Sequence, residues 1–156
     1  MRELTDELIA YLEQHLSLLA AGRDRELRPC ISRAVGILPG ADRASFTAFL
    51  ANGPGAALLA ILEEGAPFAL GSTHIPTHRS VQLKGVVTRV RPATEAERPL
   101  IEACTGGFTE DLGGLGYPLP VVRRIVTWPA TAVEVRLEAV FDQTPGPGAG
   151  RPVGAS

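Results

Sequence analysis

The densest group of chemistry-bearing side chains in this sequence is His78, Arg79, Ser80, Gln82 and Lys84. On an extended backbone, successive side chains point to opposite faces. Ser80, Gln82 and Lys84 then share one face, and Arg79, Val81 and Leu83 share the other. A hydroxyl, an amide and an ammonium in one row can hold a phosphate-bearing ligand. The same row also suits an ordinary solvent-facing strand. Arg33 stands on a row with Ile31, Val35 and Ile37. A charge there needs an anion, a carboxylate partner or a path to water along its own stem. His74 and His78 are four apart, as helical metal ligands can be, but Pro76 between them argues against a helix, and no metal site is expected. Cys30 and Cys104 form no CxxC pair and read as small buried side chains. Gly53-Pro54-Gly55 can present amides to a phosphate, with Asn52 as helix cap the competing reading. Trp128 fits a pocket wall or packing near the last strand.

These residues must be positioned by the elements around them. Leu4, Leu8, Ile9 and Leu12 fall at helical spacing, which predicts a helix over 4–14. The run 16–22 continues that helix or begins a buried strand. Residues 30–38 alternate, Pro39-Gly40-Ala41-Asp42 is a turn, and 45–49 returns, so 30–49 reads as a hairpin. A short helix is expected over 56–64 with Gly65 ending it, then strands over 67–73 and 79–91. Gly85, in the middle of the second strand, marks a bulge or a close backbone approach. Thr94 caps a helix that should fail near Gly106-Gly107 or, at the latest, at Gly113-Gly114. Residues 119–125 offer one or two further helical turns. Val133, Val135, Leu137 and Ala139 alternate with Glu134, Arg136 and Glu138, giving a half-buried strand after Pro129. The Pro- and Gly-rich stretch 145–156 cannot bury enough apolar surface to offset its ordering, and reads as a mobile tail unless a partner holds it.

Short connections favour antiparallel hairpins, so the pattern is a mainly β, α+β barrel-like domain over 1–144 with peripheral helices. At 156 residues, 45% hydrophobic and 21% charged, the chain has the composition of one globular domain. A net charge of −2 without a basic stripe argues against nucleic-acid binding. No apolar run is long enough for a membrane span, and the acidic N-terminus lacks a signal-peptide layout, so a cytoplasmic protein is expected.

The segment Ile75-Pro76-Thr77-His78-Arg79-Ser80-Val81-Gln82-Leu83-Lys84-Gly85 resembles the fourth-to-fifth strand region of the pyridoxamine 5'-phosphate oxidase-like, FMN-binding split-barrel family. The order of elements over roughly 4–144 is similar too. The resemblance implies a six-stranded antiparallel split β-barrel that forms a homodimer, with FMN in the groove between subunits. By the same resemblance Arg33, in Ser32-Arg33-Ala34-Val35, matches a phosphate-holding arginine; Phe46-Thr47 matches an aromatic-Thr pair near the cofactor; and Ser80, five before Gly85, faces the flavin. The implied cofactor set is therefore Arg33, Ala34, Val35, Phe46, Thr47, His78, Arg79, Ser80, Gln82 and Lys84. Three departures stand out: Leu38 replaces the lysine of the vitamin B6 oxidases, Asn52-Gly53 replaces their Arg-Lys pair, and the tail lacks their Trp and Arg. The implied function is a flavin-dependent oxidoreductase of unknown substrate other than vitamin B6 oxidation. Haem or deazaflavin, both used by relatives, and a non-enzymatic dimer with a vestigial pocket are the alternatives.

Overall fold

The computed structural model describes residues 3–153. In chain order it contains α1 (Asp6–Leu12), β1 (Ser17–Arg23), β2 (Pro29–Ala34), β3 (Gly36–Pro39), β4 (Ser45–Ala51), α2 (Asn52–Leu59), β5 (Pro67–Thr73), β6 (Ser80–Pro92), α3 (Arg98–Gly114), α4 (Leu119–Val122) and β7 (Ala130–Asp142). All strand pairs are antiparallel, and the strand order is β2-β1-β5-β6-β7-β4-β3. The two outermost strands, β2 and β3, are separated in sequence only by Val35. The sheet therefore curls until its edges meet at one bend, which removes most of its free edge.

That bend explains why seven strands are present where six were expected. The stretch 29–39 is one extended run that leaves β1 and joins β4 at Val35, whose amide donates to the Phe49 carbonyl at 2.8 Å. Gly36 packs closely at the crossing: a Cβ there would lie 3.3 Å from the Phe49 ring, which would have to shift slightly. The expected hairpin over 30–49 is accordingly half right. Its β3–β4 part is present, but β2 pairs with β1. The bend also breaks the alternation, so that Ile31 is 65% exposed while Ile37 is buried.

Helices stop the barrel's two ends. Thr5 caps α1, its Oγ1 accepting from the Leu8 amide at 3.2 Å, and Asp6 and Glu7 suit the positive end of the helix. Leu8, Tyr11 and Leu12 enter the barrel core alongside Leu4, which precedes the helix. The ambiguous run after it is strand β1. At the other end α2, earlier than expected, inserts Leu58. Asn52 does not cap it. Its Oδ1 instead accepts from Thr131 Oγ1 at 2.8 Å, while its amide donates to the Pro129 carbonyl.

A second apolar layer lies outside the barrel. Ile101 of α3 covers Val35, Phe49, Ala51, Ala130 and Ala132, with Trp128 at its margin. Thr94 acts before the helix, donating from its amide and hydroxyl to Glu97 Oε2 at 2.7 and 3.0 Å. Glu97 in turn holds Arg91, which also binds Glu134, so one ion-pair cluster fastens α3 to β6 and β7. The helix passes through Gly106-Gly107 and ends at Gly114. At Gly107 the missing side chain leaves room for the His15 ring, whereas Gly106 faces open space.

The expected feature at Gly85 is a bulge. Lys84 pairs with Ala139 and Gly85 with Leu137, so Glu138 has no opposite residue. A Cβ on Gly85 would overlap the Arg136 carbonyl. Alternation in β7 slips at this point: Leu137 and Val140 are buried and Ala139 is not.

The partner that holds the C-terminal stretch is the chain itself. β4 pairs only with residues 130–136 of β7, leaving the edge of the later half open. Residues 145–153 turn back along it, with Asp142 and Val153 amides donating to the Arg151 and Val140 carbonyls at 2.9 and 2.8 Å. Residues 154–156 lie outside the described residues. No described helix is long and apolar enough to cross a membrane.

Candidate functional site

Residues directly opposite in an antiparallel pair point to the same side of a sheet. Following the register across five strands gives one continuous row on the barrel's outer surface: Arg33, Leu19, Gly71, Gln82 and Phe141. The neighbouring row is Ile31, Ala21, Ala69, Lys84 and Ala139. Ser17, Thr73 and Ser80 continue the same face on the other flank. At about 4.8 Å between strands, Arg33 and Gln82 stand roughly 14 Å apart. Between them the surface is low and apolar, made of Gly71, Ala21 and Ala69, with Leu19 44% exposed.

Four of the ten expected site residues meet on this face: Arg33, Ser80, Gln82 and Lys84. Ser80 Oγ lies 2.9 Å from Thr73 Oγ1, and the Ser80 amide donates to Thr144 Oγ1 at 3.1 Å. Among the described residues, the Gln82 amide makes one long side-chain contact, its Oε1 accepting from Gln143 Nε2 at 3.5 Å. The Lys84 ammonium sits 4.9 Å from the centre of the Phe141 ring.

The other six lie elsewhere. Ala34 and Phe46 point into the sealed barrel interior, and Val35 is covered by α3. Thr47 is outside β4, beside a separate groove with Thr88, Glu134 and Arg136. His78 occupies the tight bend before β6 in the left-handed conformation (φ 59°), its amide donating to the His74 carbonyl, while His74 Nδ1 contacts Thr77 Oγ1 at 2.7 Å. Arg79 turns away from Ser80, as alternation requires, onto Tyr11 and Glu7.

Arg33 reaches the rim of α3. Its guanidinium stacks 4.7 Å from the centre of the Phe108 ring and donates to Ser17 Oγ at 3.4 Å. It forms no ion pair among the described residues. Burial pulls its pKa down. The space enclosed by Arg33, Leu18, Cys104, Phe108 and Ile125 is about 10 Å³, room for one water. Cys104 is held protonated there, since burial raises its thiol pKa.

A larger groove opens on the second row. Its walls and floor come from Ala21, Arg23, Phe68, Ala69, Lys84 and Glu138, and its volume is about 360 Å³. The residue types alone did not mark Arg23 or Glu138. Only the β1–β5–β6 register places Arg23 near Lys84, although the bulge that displaces Glu138 was signalled by Gly85.

No protein-family model matches the chain, and no curated protein sequence matches it. Solved structures do. A pyridoxamine 5'-phosphate oxidase-like protein from Lactobacillus delbrueckii superposes with a TM-score of 0.53 at 17% identity, covering 89% of this chain and 93% of that one. HupZ of Group A Streptococcus superposes with a TM-score of 0.55 at 12% identity, covering 94% and 99%. The fold is a split barrel. The identities are low enough that the likeness stops at architecture, and the split barrel's outer face must be judged on its own residues.

Proposed function

We propose that two copies of this split barrel pair through the outer face of β2, β1, β5 and β6 and bind FMN in the seam, as a flavin-dependent oxidoreductase. The observation that carries this reading is the stretch from Arg33 to Gln82: polar at its ends, apolar and shallow between, on the outer face of the sheet. A flat ring system needs low apolar walls with a few hydrogen-bonding groups at its edge, and its acidic group needs cations. Leu19, Ala21, Ala69 and Gly71 provide the first, Gln82 and Ser80 the second, Lys84 the third. The donor set therefore fits a flavin.

When bound, FMN would supply the electron and hydride transfer. The chain's own contribution is recognition. Gln82 offers both an amide donor and an acceptor to the ring edge. Leu19 and Ile31, packed against a second copy, would exclude water from the seam. Lys84 keeps a positive charge on the face, which favours a ligand carrying negative charge.

Adding FMN to the purified protein under an absorption and fluorescence readout tests this. Saturable quenching of flavin fluorescence, with light scattering at twice the chain mass, is the expected result. A Soret band in the isolated protein would replace FMN by haem, and uptake of a deazaflavin alone would replace it by that group. A monomer that binds none of them would end the proposal.

A further inference from the structure

We infer that the acidic group of the bound molecule lodges in the groove between Arg23 and Lys84 rather than beside Arg33; this rests on the seam reading above. The two candidate anchors are distinct places. Arg23 and Arg33 lie on the same outer face, paired with Pro29 and Leu19 respectively, so they are separated by four residues of β1, roughly 13 Å. The space enclosed by Arg33 and the α3 rim is about 10 Å³, room for one water. A phosphate does not fit in that enclosed space.

The groove has both the room and the charge. At about 360 Å³ it falls within the range of small-ligand sites. Arg23 and Lys84 both line it, and neither forms an ion pair among the described residues. Among the described residues, the only side-chain hydrogen bond of Arg23 is to its neighbour's carbonyl, Asp24, at 3.4 Å. Glu138, the one carboxylate on the wall, is engaged by Arg136 at 3.1 Å. Two like charges facing one groove repel, and an anion between them relieves that repulsion. The floor keeps the space open because Ala21 and Ala69 carry no side chain beyond Cβ.

The bulge fixes this arrangement. Gly85 lets β6 approach Arg136, and the slip turns Glu138 out of the ladder toward its Arg136 neighbour. Bulges commonly re-aim a side chain beside a binding site. The ligand class is a phosphate monoester or diphosphate attached to a flat group that extends along the face toward Gln82.

Titration of the full chain with FMN and with riboflavin, which lacks the phosphate, separates the anchors. FMN should bind about tenfold more tightly than riboflavin. Arg23→Ala and Lys84→Ala should each erase most of that preference while leaving riboflavin affinity unchanged, and Arg33→Ala should preserve it. Both groove cations are on the surface, so the variants fold. If Arg33→Ala erases the preference and the groove variants keep it, the inference is overturned and the flavin reading survives. If neither flavin binds, the flavin reading fails, and inorganic pyrophosphate followed by calorimetry decides the groove alone. Pyrophosphate binding abolished by Lys84→Ala sustains it; no binding ends it.

Discussion

The guanidinium of Arg79 lies 4.8 Å from the centre of the Tyr11 ring, and the Tyr11 hydroxyl donates to the Arg79 carbonyl at 3.1 Å. The Ser72 carbonyl lies at the same distance, so the single hydroxyl proton is shared between two carbonyls and one tyrosine of α1 ties together β5 and the entry to β6. Arg79 also pairs with Glu7 of α1 at 2.7 Å. A residue that the sequence placed among cofactor ligands thus fastens the helix that closes the barrel end. Tyr11→Phe should destabilise the protein by about 0.5–1.5 kcal/mol, the net worth of a buried hydrogen bond. Arg79→Ala should cost about 1 kcal/mol or less, because its ion pair is exposed. Urea unfolding measures both; flavin affinity should stay unchanged in both.

Two glycines that look alike in sequence should respond differently to alanine. At Gly85 the added methyl meets the Arg136 backbone carbonyl, which cannot move without breaking the β6–β7 ladder. Gly85→Ala should cost about 3 kcal/mol, the upper end of overpacking penalties. At Gly107 it meets the His15 ring, an exposed side chain free to rotate away. The loss there is offset by roughly 1 kcal/mol of helix propensity. Thermal melts of the two variants should therefore separate clearly.

Acid should loosen α3 before the rest of the barrel. Hydrogen bonding to Arg91 holds the Glu97 carboxyl at about 2, below its ordinary 4.5. Arg91 is correspondingly raised by Glu97 and Glu134. The folded state binds the Glu97 proton more weakly than the unfolded chain does. The cluster is therefore fully stabilising above pH 4.5, and its contribution is lost as pH falls toward 2. About 1–3 kcal/mol should disappear over that window. Glu97→Gln should flatten the dependence, measured by denaturation at a series of pH values.

The open face should decide assembly. Ile31 is 65% exposed and makes no part of the barrel core. Ile31→Glu should change folding stability by within about 0.5 kcal/mol, yet give a monomer by light scattering if the face is the seam between copies. A dimer unaffected by this charge would place the interface elsewhere.

Much of the fold was legible because its signals are local. The alternation of 130–138, the strand at 67–73, the turn at 39–42 and the bulge at Gly85 each depend on a few adjacent residues. The ending of α3 was less so: glycines at 106 and 107 weaken an isolated helix, but here Gly107 makes room for His15 and α3 runs on to Gly114. The tail misled for the same kind of reason. Its composition gives it no core of its own, whereas the unpaired half of β7 offers an edge that composition cannot reveal.

Within an unbroken strand segment the sequence by itself determined which residues share a side, since a period of two is a property of the extended backbone; the bend at Val35 and the bulge at Glu138 reset it. Ser80, Gln82 and Lys84 were correctly separated from Arg79 on that ground. Only the tertiary structure decided what lies beside them. Pairing β1 between β2 and β5 brings Arg33 and Arg23 onto the face of Lys84, while closure at Val35 buries Phe46 and sends Thr47 to another groove. Strand neighbours are chosen by contacts between residues far apart in the chain, and that choice, not the local alternation, assembles a site.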